Sequence, residues 1–268
     1  MTQKNETQKM KEGTFWEHLE SLRWVIVRII AVLLAISILI FCFKDYVFNE
    51  IILAPCDNEF ITYRLMCKLS ALLSLPMLCP DIESISLINI NLTSQLMVHL
   101  SSSFQLAIIA TLPYIASEIW FYISPALYTK EKHITIKGII FFVLLFFIGV
   151  LLSYYIIFPL SLNFLGNYQV SGAVPNQISL TSYMNTFTTL TMMIGLVFEM
   201  PIVGYFLGKT GIIKSGLLKE YRKVAIVIIM VISAMITPST DIFTMTIVSL
   251  PLILLYEITI GVVRRAEA

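Results

Sequence analysis

Residues 24–43, WVIVRIIAVLLAISILIFCF, form an apolar run that contains a single charged side chain, Arg28. Twenty residues of α-helix rise about 30 Å, which is the thickness of the hydrocarbon core of a bilayer. Arg28 lies in the first turn, where a long side chain can extend to the membrane interface. The 23 residues before the run carry both acids and bases, and no small-residue cleavage pattern follows it. We therefore expect a retained membrane span rather than a removed signal peptide.

The composition of the whole chain agrees with this first run. Of the 268 residues, 57% are hydrophobic and only 13% are charged, and the mean hydropathy is +0.85. A soluble domain carries about 25% charged residues, so a soluble enzyme is excluded as the leading interpretation. The net charge of +1 gives no basic surface for nucleic acid. The composition predicts an all-α integral membrane protein that binds no nucleic acid.

Further apolar stretches predict five more spans. A long loop over residues 44–95, rich in proline and acidic residues, separates the first span from the second. Pro113 should kink the second span, because it lacks a backbone N–H. We predict one membrane domain, 1–268, with six spans at about 24–43, 96–123, 138–165, 183–208, 224–238 and 242–260.

The fifth of these spans is unusually short. Its uninterrupted apolar part, Val224–Ile236, has 13 residues and would rise only about 20 Å. The sixth predicted span, at 19 residues, is also short. Such a helix must thin the membrane locally, borrow Thr237 and Pro238, or be shielded by neighbouring helices.

Basic residues predict the orientation of the chain. When Arg28 is counted with the N-terminal segment, fifteen of the 18 Lys and Arg side chains fall before span one, in the second and fourth connections, or after span six, and three fall in the 44–95 loop. The positive-inside rule then places both termini in the cytoplasm and the 44–95 loop outside. No internal repeat of the kind found in many secondary transporters is evident.

Glu199 is the most informative single residue in the apolar regions. It lies ten residues before Lys209, about 15 Å of helix from the predicted cytoplasmic boundary. A carboxyl at that depth indicates either a functional site or a hydrogen bond that holds two helices together. Pro201 should free a backbone carbonyl nearby. Glu118 and Glu257 lie closer to the predicted cytoplasmic face and are expected to be interfacial.

The cysteine and histidine positions suggest neither a metal site nor a catalytic centre. His18, His99 and His133 have no neighbours at ligand spacing, so we expect no metal and no cofactor. No nucleophile is paired with a base, which argues against an enzyme. A disulfide between Cys67 and Cys79 in the external loop is one possibility, and free thiols are the other.

Two cytoplasmic segments combine carboxylates with aromatic and apolar side chains. Residues 13–24 can form an interfacial helix, although a solvated helix would show the same pattern. Residues 120–132 contain an aromatic belt that leads into Lys130, Glu131 and Lys132. Such a surface suits a basic, partly apolar peptide, because carboxylates accept paired hydrogen bonds from arginine.

Six motifs, in order, give the sequence a specific resemblance. They are Phe15-x-x-His18-Leu19-x-x-Leu22-Arg23, Phe121-Tyr122-Ile123-Ser124-Pro125-Ala126-Leu127-Tyr128-x-x-Glu131, Phe158-Pro159-Leu160, Phe198-Glu199-x-Pro201, Thr237-Pro238 with Asp241, and Pro251 with Leu255-Tyr256-Glu257. In order and spacing they resemble the TatC family of the twin-arginine protein translocase. The resemblance extends from about residue 15 to 257.

The resemblance implies a concave six-span receptor, N-in and C-in, in a bacterial-type cytoplasmic (inner) membrane. Such a receptor binds the twin-arginine signal peptides of folded cargo and assembles, as a homo-oligomer, with single-span TatA/TatB-type subunits that use the proton-motive force. Carried over by position, the residues that bind the signal peptide are Glu20, Arg23, Tyr122, Leu127, Tyr128 and Glu131. Glu199 matches the intramembrane glutamate of the family, and Asp241 matches its acid in the external turn.

Three positions depart from the family pattern. Ser21 stands where the family has a glutamate, so that Glu20, one residue earlier, is the nearest carboxylate. Tyr122 replaces the usual phenylalanine, and the turn before Asp241 is one residue longer than usual. A rival hypothesis is a proton-coupled small-solute transporter or channel that uses Glu199, and a purely structural scaffold is a third.

Overall fold

A computed structural model describes residues 15–73, 87–123, 129–169, 171, 176–237 and 241–267. Helices account for nearly all of them. In chain order these are α1 (Phe15–Cys42), α2 (Lys44–Tyr46), α3 (Ile61–Leu73), α4 (Ser94–Ile123), α5 (Thr129–Leu152), α6 (Phe158–Asn167), α7 (Leu180–Val197), α8 (Met200–Lys209), α9 (Ser215–Glu220), α10 (Arg222–Ile236) and α11 (Ile242–Glu267).

Short irregular elements connect these helices. Two π-helical turns, Val47–Ile52 and Ser153–Ile157, and a 3₁₀ turn, Ala54–Cys56, follow α2 and α5. Two short strands, β1 (Leu87–Ile88) and β2 (Ile178–Ser179), pair in parallel, with Leu87 opposite Ile178. The all-helical prediction is confirmed, and this strand pair was not predicted.

Five segments within the described residues are long and apolar enough to cross a membrane. They are Leu19–Cys42, Ser94–Tyr122, Gly138–Asn167, Leu180–Lys209 and Ile242–Glu267, and they match predicted spans one to four and six. The fifth predicted span corresponds to α10, which has 15 residues and rises only about 22 Å. The sequence-based expectation of a short fifth helix therefore agrees with the structure.

The last helix is longer than the predicted sixth span. It continues seven residues beyond the predicted end at residue 260 and reaches Glu267. Packing explains the difference, because Val263 is fully buried and a Cβ added to Gly208 in α8 would lie 3.0 Å from its Cγ1. Helix α11 therefore continues beyond the predicted sixth span, through Arg264 and Arg265 in its last turn.

The first and second spans pack against each other as antiparallel helices. At the middle of α1, Arg28 contacts Glu118 of α4. Near its end, the Phe41 ring stacks on His99 with the ring centroids 3.9 Å apart. Much of the remaining surface of α1 exposes large apolar side chains such as Ile30 and Leu34, as expected of a helix that meets lipid.

The main core lies between α5–α6 and α7. Buried aromatic and aliphatic side chains from both sides fill it, among them Phe158, Phe187, Leu190 and Ile194. The helices approach closely at two glycines. A Cβ on Gly195 would lie 2.9 Å from the Phe146 ring, and one on Gly149 would lie 2.8 Å from Phe198.

Residues 44–73 form a cap that is held to the core by hydroxyl groups. Pro159 has no N–H for the Tyr155 carbonyl one turn earlier, and the Thr62 hydroxyl donates to that carbonyl instead. Tyr154 donates to the Ile51 carbonyl at 2.7 Å. Tyr183 donates to the Ile52 carbonyl at 2.5 Å. The described first part of the predicted external loop, residues 44–73, is therefore a docked structure that ends with helix α3.

The fourth predicted span is two helices rather than one. Helix α7 ends at Val197 and α8 begins at Met200, with Pro201 in the first turn of α8. Helix α8 then packs on α11 in parallel, with Gly204 against Thr259 and Gly208 against Val263. The Gly204-x-x-x-Gly208 spacing is a recognised signal for close helix packing in membranes, and the sequence analysis did not use it.

Candidate functional site

The two predicted cytoplasmic segments meet at one end of the α1–α4 pair. The Arg28–Glu118 and Phe41–His99 contacts set the antiparallel register. Counted from them along the two helices, Arg23 lies at the level of residues 117–123, in the last two turns of α4. The structure brings Glu20 and Arg23 to the same end of the bundle as Tyr122.

The described side chains of this candidate patch are accessible. Glu20 and Arg23 are exposed, and Tyr122 is half-buried. The Arg23 guanidinium lies 5.7 Å from the centroid of the Trp24 ring, a cation–π distance. Leu127 and Tyr128 lie outside the described residues. Glu131 lies in the first turn of α5, but its side chain is not described.

Behind the patch lies a polar group that the sequence analysis did not identify. Arg28 Nη2 is 2.9 Å from Glu118 Oε2, and the Tyr114 hydroxyl donates to Glu118 Oε1 at 2.7 Å. Glu118 is only 8% exposed, so the expectation that it is interfacial is wrong. One acid and one base at similar depth in two consecutive spans were the signal for this pair.

Glu199 lies at the break between α7 and α8. It is 5% exposed, and neither Oε1 nor Oε2 has a hydrogen-bond partner among the described residues. The carboxyl lies beside the backbone of Phe146 in α5. Burying an unpartnered polar group costs roughly 1–3 kcal/mol by protein mutational data. The structure therefore gives Glu199 no described partner that would make it a bond between helices.

Glu199 and the predicted peptide-binding residues belong to separate places. Phe146 lies beside Glu199. It follows Glu131 by fifteen residues within the same helix, α5. That separation is about 22 Å of helix. A peptide bound at the exposed end would have to extend into the membrane region to approach Glu199.

Asp241 caps the last helix. Its Oδ1 accepts a hydrogen bond from the Thr244 N–H at 2.7 Å, and its Oδ2 accepts one from the Thr244 hydroxyl at 2.6 Å. An aspartate that satisfies a free N–H in the first turn stabilises a helix by about 1 kcal/mol. This contact gives Asp241 a local structural role whatever else it does.

The described cysteines differ in state. Cys67 is disulfide-bonded, whereas Cys42 and Cys56 carry free thiols. Burial raises the pKa of the Cys56 thiol, which makes it a weaker nucleophile at neutral pH. Cys79 lies outside the described residues, so its pairing with Cys67 stays a prediction. Within the described part of the chain, no three His, Cys, Asp or Glu residues are grouped to hold a metal ion.

Comparison with known proteins identifies a consistent set of similar chains. The family model described as Sec-independent protein translocase protein (TatC) matches residues 17–251. A TatC protein of Blattabacterium sp. subsp. Periplaneta americana is 32% identical over 263 residues, which are 96% of each chain. A TatC protein of Aquifex aeolicus is 35% identical over 246 residues, with 91% of this chain and 92% of that one covered.

Solved structures agree with the sequence comparison. A crystal structure described as the twin arginine translocase receptor TatC superposes with a TM-score of 0.68 and 32% sequence identity. The match covers 94% of this chain and 100% of the solved one. At this identity the likeness extends to sequence as well as fold.

Proposed function

This chain belongs to the TatC family of Sec-independent protein translocase proteins, and from that premise we propose that it is the receptor for twin-arginine signal peptides. As a family member it is a multi-pass membrane component of a protein translocase. In the proposed role it performs no covalent chemistry and moves folded cargo with the proton-motive force. Its partners in this role are single-span TatA/TatB-type subunits and further copies of itself.

One observation carries the proposal. The register of α1 and α4, fixed by Arg28 and Glu118, gathers Glu20, Arg23 and Tyr122 at the end where α5 begins. An exposed carboxylate at the same end of the bundle as a tyrosine ring suits a guanidinium group, which makes paired hydrogen bonds and stacks on aromatic faces. Glu131 in the first turn of α5 adds a second acid to the same end, and we propose that it pairs with a signal-peptide arginine.

We propose that binding proceeds in two stages. The acids at the exposed end hold the arginine pair, which gives orientation more than affinity because exposed ion pairs contribute less than about 1 kcal/mol. The apolar part of the signal peptide then lies along the membrane-embedded surface toward Glu199. In this arrangement both termini of the protein and the peptide-binding end face the cytoplasm, and the cap over residues 44–73 faces outward, as the basic residues predict.

Photo-crosslinking tests the proposal directly. A photoreactive amino acid at Tyr122 should crosslink to a signal peptide with two arginines, and the yield should fall about tenfold when both are changed to lysine. Lysine keeps the charge and loses the paired geometry. A probe at Ile242, exposed at the other end of the molecule, is the control and should not crosslink.

The same assay tests the role of Glu131. Glu131→Ala should lower crosslinking at Tyr122 by up to about fivefold, the effect of one exposed ion pair, while the protein still inserts into the membrane. Equal crosslinking of the signal peptides with two arginines and with two lysines would contradict the receptor proposal. Solute-dependent proton flux in vesicles that contain only this chain would support the transporter alternative.

A further inference from the structure

A long apolar groove runs along the outside of the bundle between α5–α6, α8 and α11. Its volume is about 1200 Å³, and its walls include Phe141, Phe206 and Ile258. Of its lining side chains, only Tyr205 and Arg265 carry a polar group. Phe198 and Pro201 line the groove while Glu199 does not, so the groove is distinct from the site described above.

Cations gather at one end of this groove. Because α8 and α11 are parallel, with Gly208 packed on Val263, the residues that follow lie at one level. These are Lys209 on α8 and Arg264 and Arg265 on α11, all exposed. None of the three forms an ion pair with a residue that the structure describes. Their charge is therefore available to a ligand.

We propose that the groove binds an anionic phospholipid, with the phosphate at Arg265 and the acyl chains along the apolar walls. The polarity of the groove matches such a molecule: Arg265 lines one end, with Lys209 and Arg264 at the same level beside it, and the other described lining side chains are apolar apart from Tyr205. Each basic residue near the membrane surface contributes about 1 kcal/mol of attraction to anionic lipid. The Tyr205 hydroxyl, one turn before Lys209, is placed to hydrogen-bond the ester region.

Charge favours a lipid over the other possible occupants. A zwitterionic lipid carries no net negative charge to neutralise these cations. An apolar helix from a partner protein would leave them unpaired at its end. The distance supports the same choice, because Ile258 precedes Arg265 by seven residues, about 10 Å of helix. That spacing separates a phosphate from the upper part of an acyl chain.

Native mass spectrometry of the purified protein tests this proposal. The detergent-solubilised wild type, titrated with phosphatidylglycerol or phosphatidylcholine, should bind phosphatidylglycerol more tightly. Arg265→Gln should weaken phosphatidylglycerol binding about fivefold, the effect of one basic residue at an anionic surface. Arg265→Lys should restore most of it. Lys219→Gln removes an exposed charge of α9 that does not line the groove, and it should bind like the wild type.

A second variant separates the contribution of the apolar groove to lipid binding from the contribution of the cations. Ile258 is 48% exposed, so Ile258→Trp fills the groove without disturbing the core, and it should reduce binding of phosphatidylglycerol while all cations remain. Equal binding of the two lipids by the wild type would overturn the proposal. So would equal losses in Arg265→Gln and Lys219→Gln, or occupation of the groove by a single-span partner helix that Ile258→Trp displaces.

Discussion

Glu199 is a residue whose position works against stability. It is buried at a helix break without a described partner for either oxygen. An acid that fastened two helices would need a donor on one of them. We therefore expect that this carboxyl contributes to transport and not to folding.

Replacing Glu199 by alanine should impair export while the protein inserts and folds normally. We expect export of a folded reporter to fall at least about tenfold, and the free energy of unfolding to stay the same or rise by about 1 kcal/mol, because a desolvated polar group is removed. Reporter export and thermal unfolding in detergent measure the two effects. Glu220→Ala, at an exposed acid of α9, is the control. Full export with lower stability would make Glu199 a structural residue.

Gly204 should not tolerate a side chain. A Cβ there would lie 2.5 Å from Thr259 Cγ2, so Gly204→Ala should destabilise the protein by about 1–3 kcal/mol, as overpacking does. Gly261→Ala is the matched control, since nothing lies within 4 Å of its added Cβ. The double variant with Thr259→Ala should recover most of the loss, which thermal unfolding would measure. If Gly204→Ala and Gly261→Ala behave alike, α8 and α11 do not pack as described.

The depth of Glu199 could be predicted from its distance to Lys209, since both lie in one apolar run. The Arg28–Glu118 pair had a signal, one base and one acid at similar depth in consecutive spans, but their contact also depends on the register between two helices, with the paired residues 90 positions apart in sequence. The capping role of Asp241 was likewise hidden, since it depends on the turn geometry before α11. The spacing of residues in the sequence thus predicted where single residues lie. Contacts between pairs of distant residues could be seen only in the tertiary structure.

Between elements, the Arg28–Glu118 pair should hold α1 to α4. Arg28→Gln leaves the Glu118 carboxylate buried with only Tyr114 as partner, and should cost about 1–2 kcal/mol. This is less than the roughly 3–5 kcal/mol of a fully buried pair, because 53% of the Arg28 side chain is exposed. Arg28→Gln combined with Glu118→Gln should be less damaging than Arg28→Gln alone. Thermal unfolding of the three variants decides this, and additive losses would contradict the pairing.

The cap over residues 44–73 should loosen when its hydroxyl contacts are removed. Tyr183→Phe takes away the donor to the Ile52 carbonyl and should cost about 1 kcal/mol. Limited proteolysis within the cap should become faster. Tyr168→Phe, at a tyrosine that is 63% exposed, should leave proteolysis unchanged. An equally protected cap in both variants would show that apolar packing alone holds it.

Apolar periodicity predicted the long helices well, because membrane spans are defined by length and composition. It did not predict where they break or stop. Pro201 divides the fourth span, and burial of Val263 extends the last helix. The cap was predicted only as a loop, since its docking depends on the distant residues Tyr154 and Pro159, which contact the Ile51 carbonyl and the Tyr63 hydroxyl of the cap.

For the molecule as a whole, the short α10 predicts a preference for thin membranes. Its 15 residues rise about 22 Å, some 8 Å less than an average hydrocarbon core. Mismatch costs a fraction of a kcal/mol per Å. In vesicles of increasing acyl length, the unfolding temperature should fall as the bilayer thickens. A protein that becomes more stable in thicker bilayers would show that neighbouring helices shield α10 fully.

The break at Phe198–Glu199 also has a mechanical consequence. Before it, α7 is interlocked with α5 through Gly195 and Phe146; after it, α8 is interlocked with α11 through Gly204 and Thr259. The two halves of this span thus have their closest helix contacts with different partners, although Phe206 of α8 also lies against Gly138 of α5. Phe198 and Glu199 connect the two halves, and Glu199 is the one acid in this span. A movement of α8 and α11 relative to α5 and α7 would therefore change the surroundings of Glu199, whose carboxylate oxygens have no described hydrogen-bond partner.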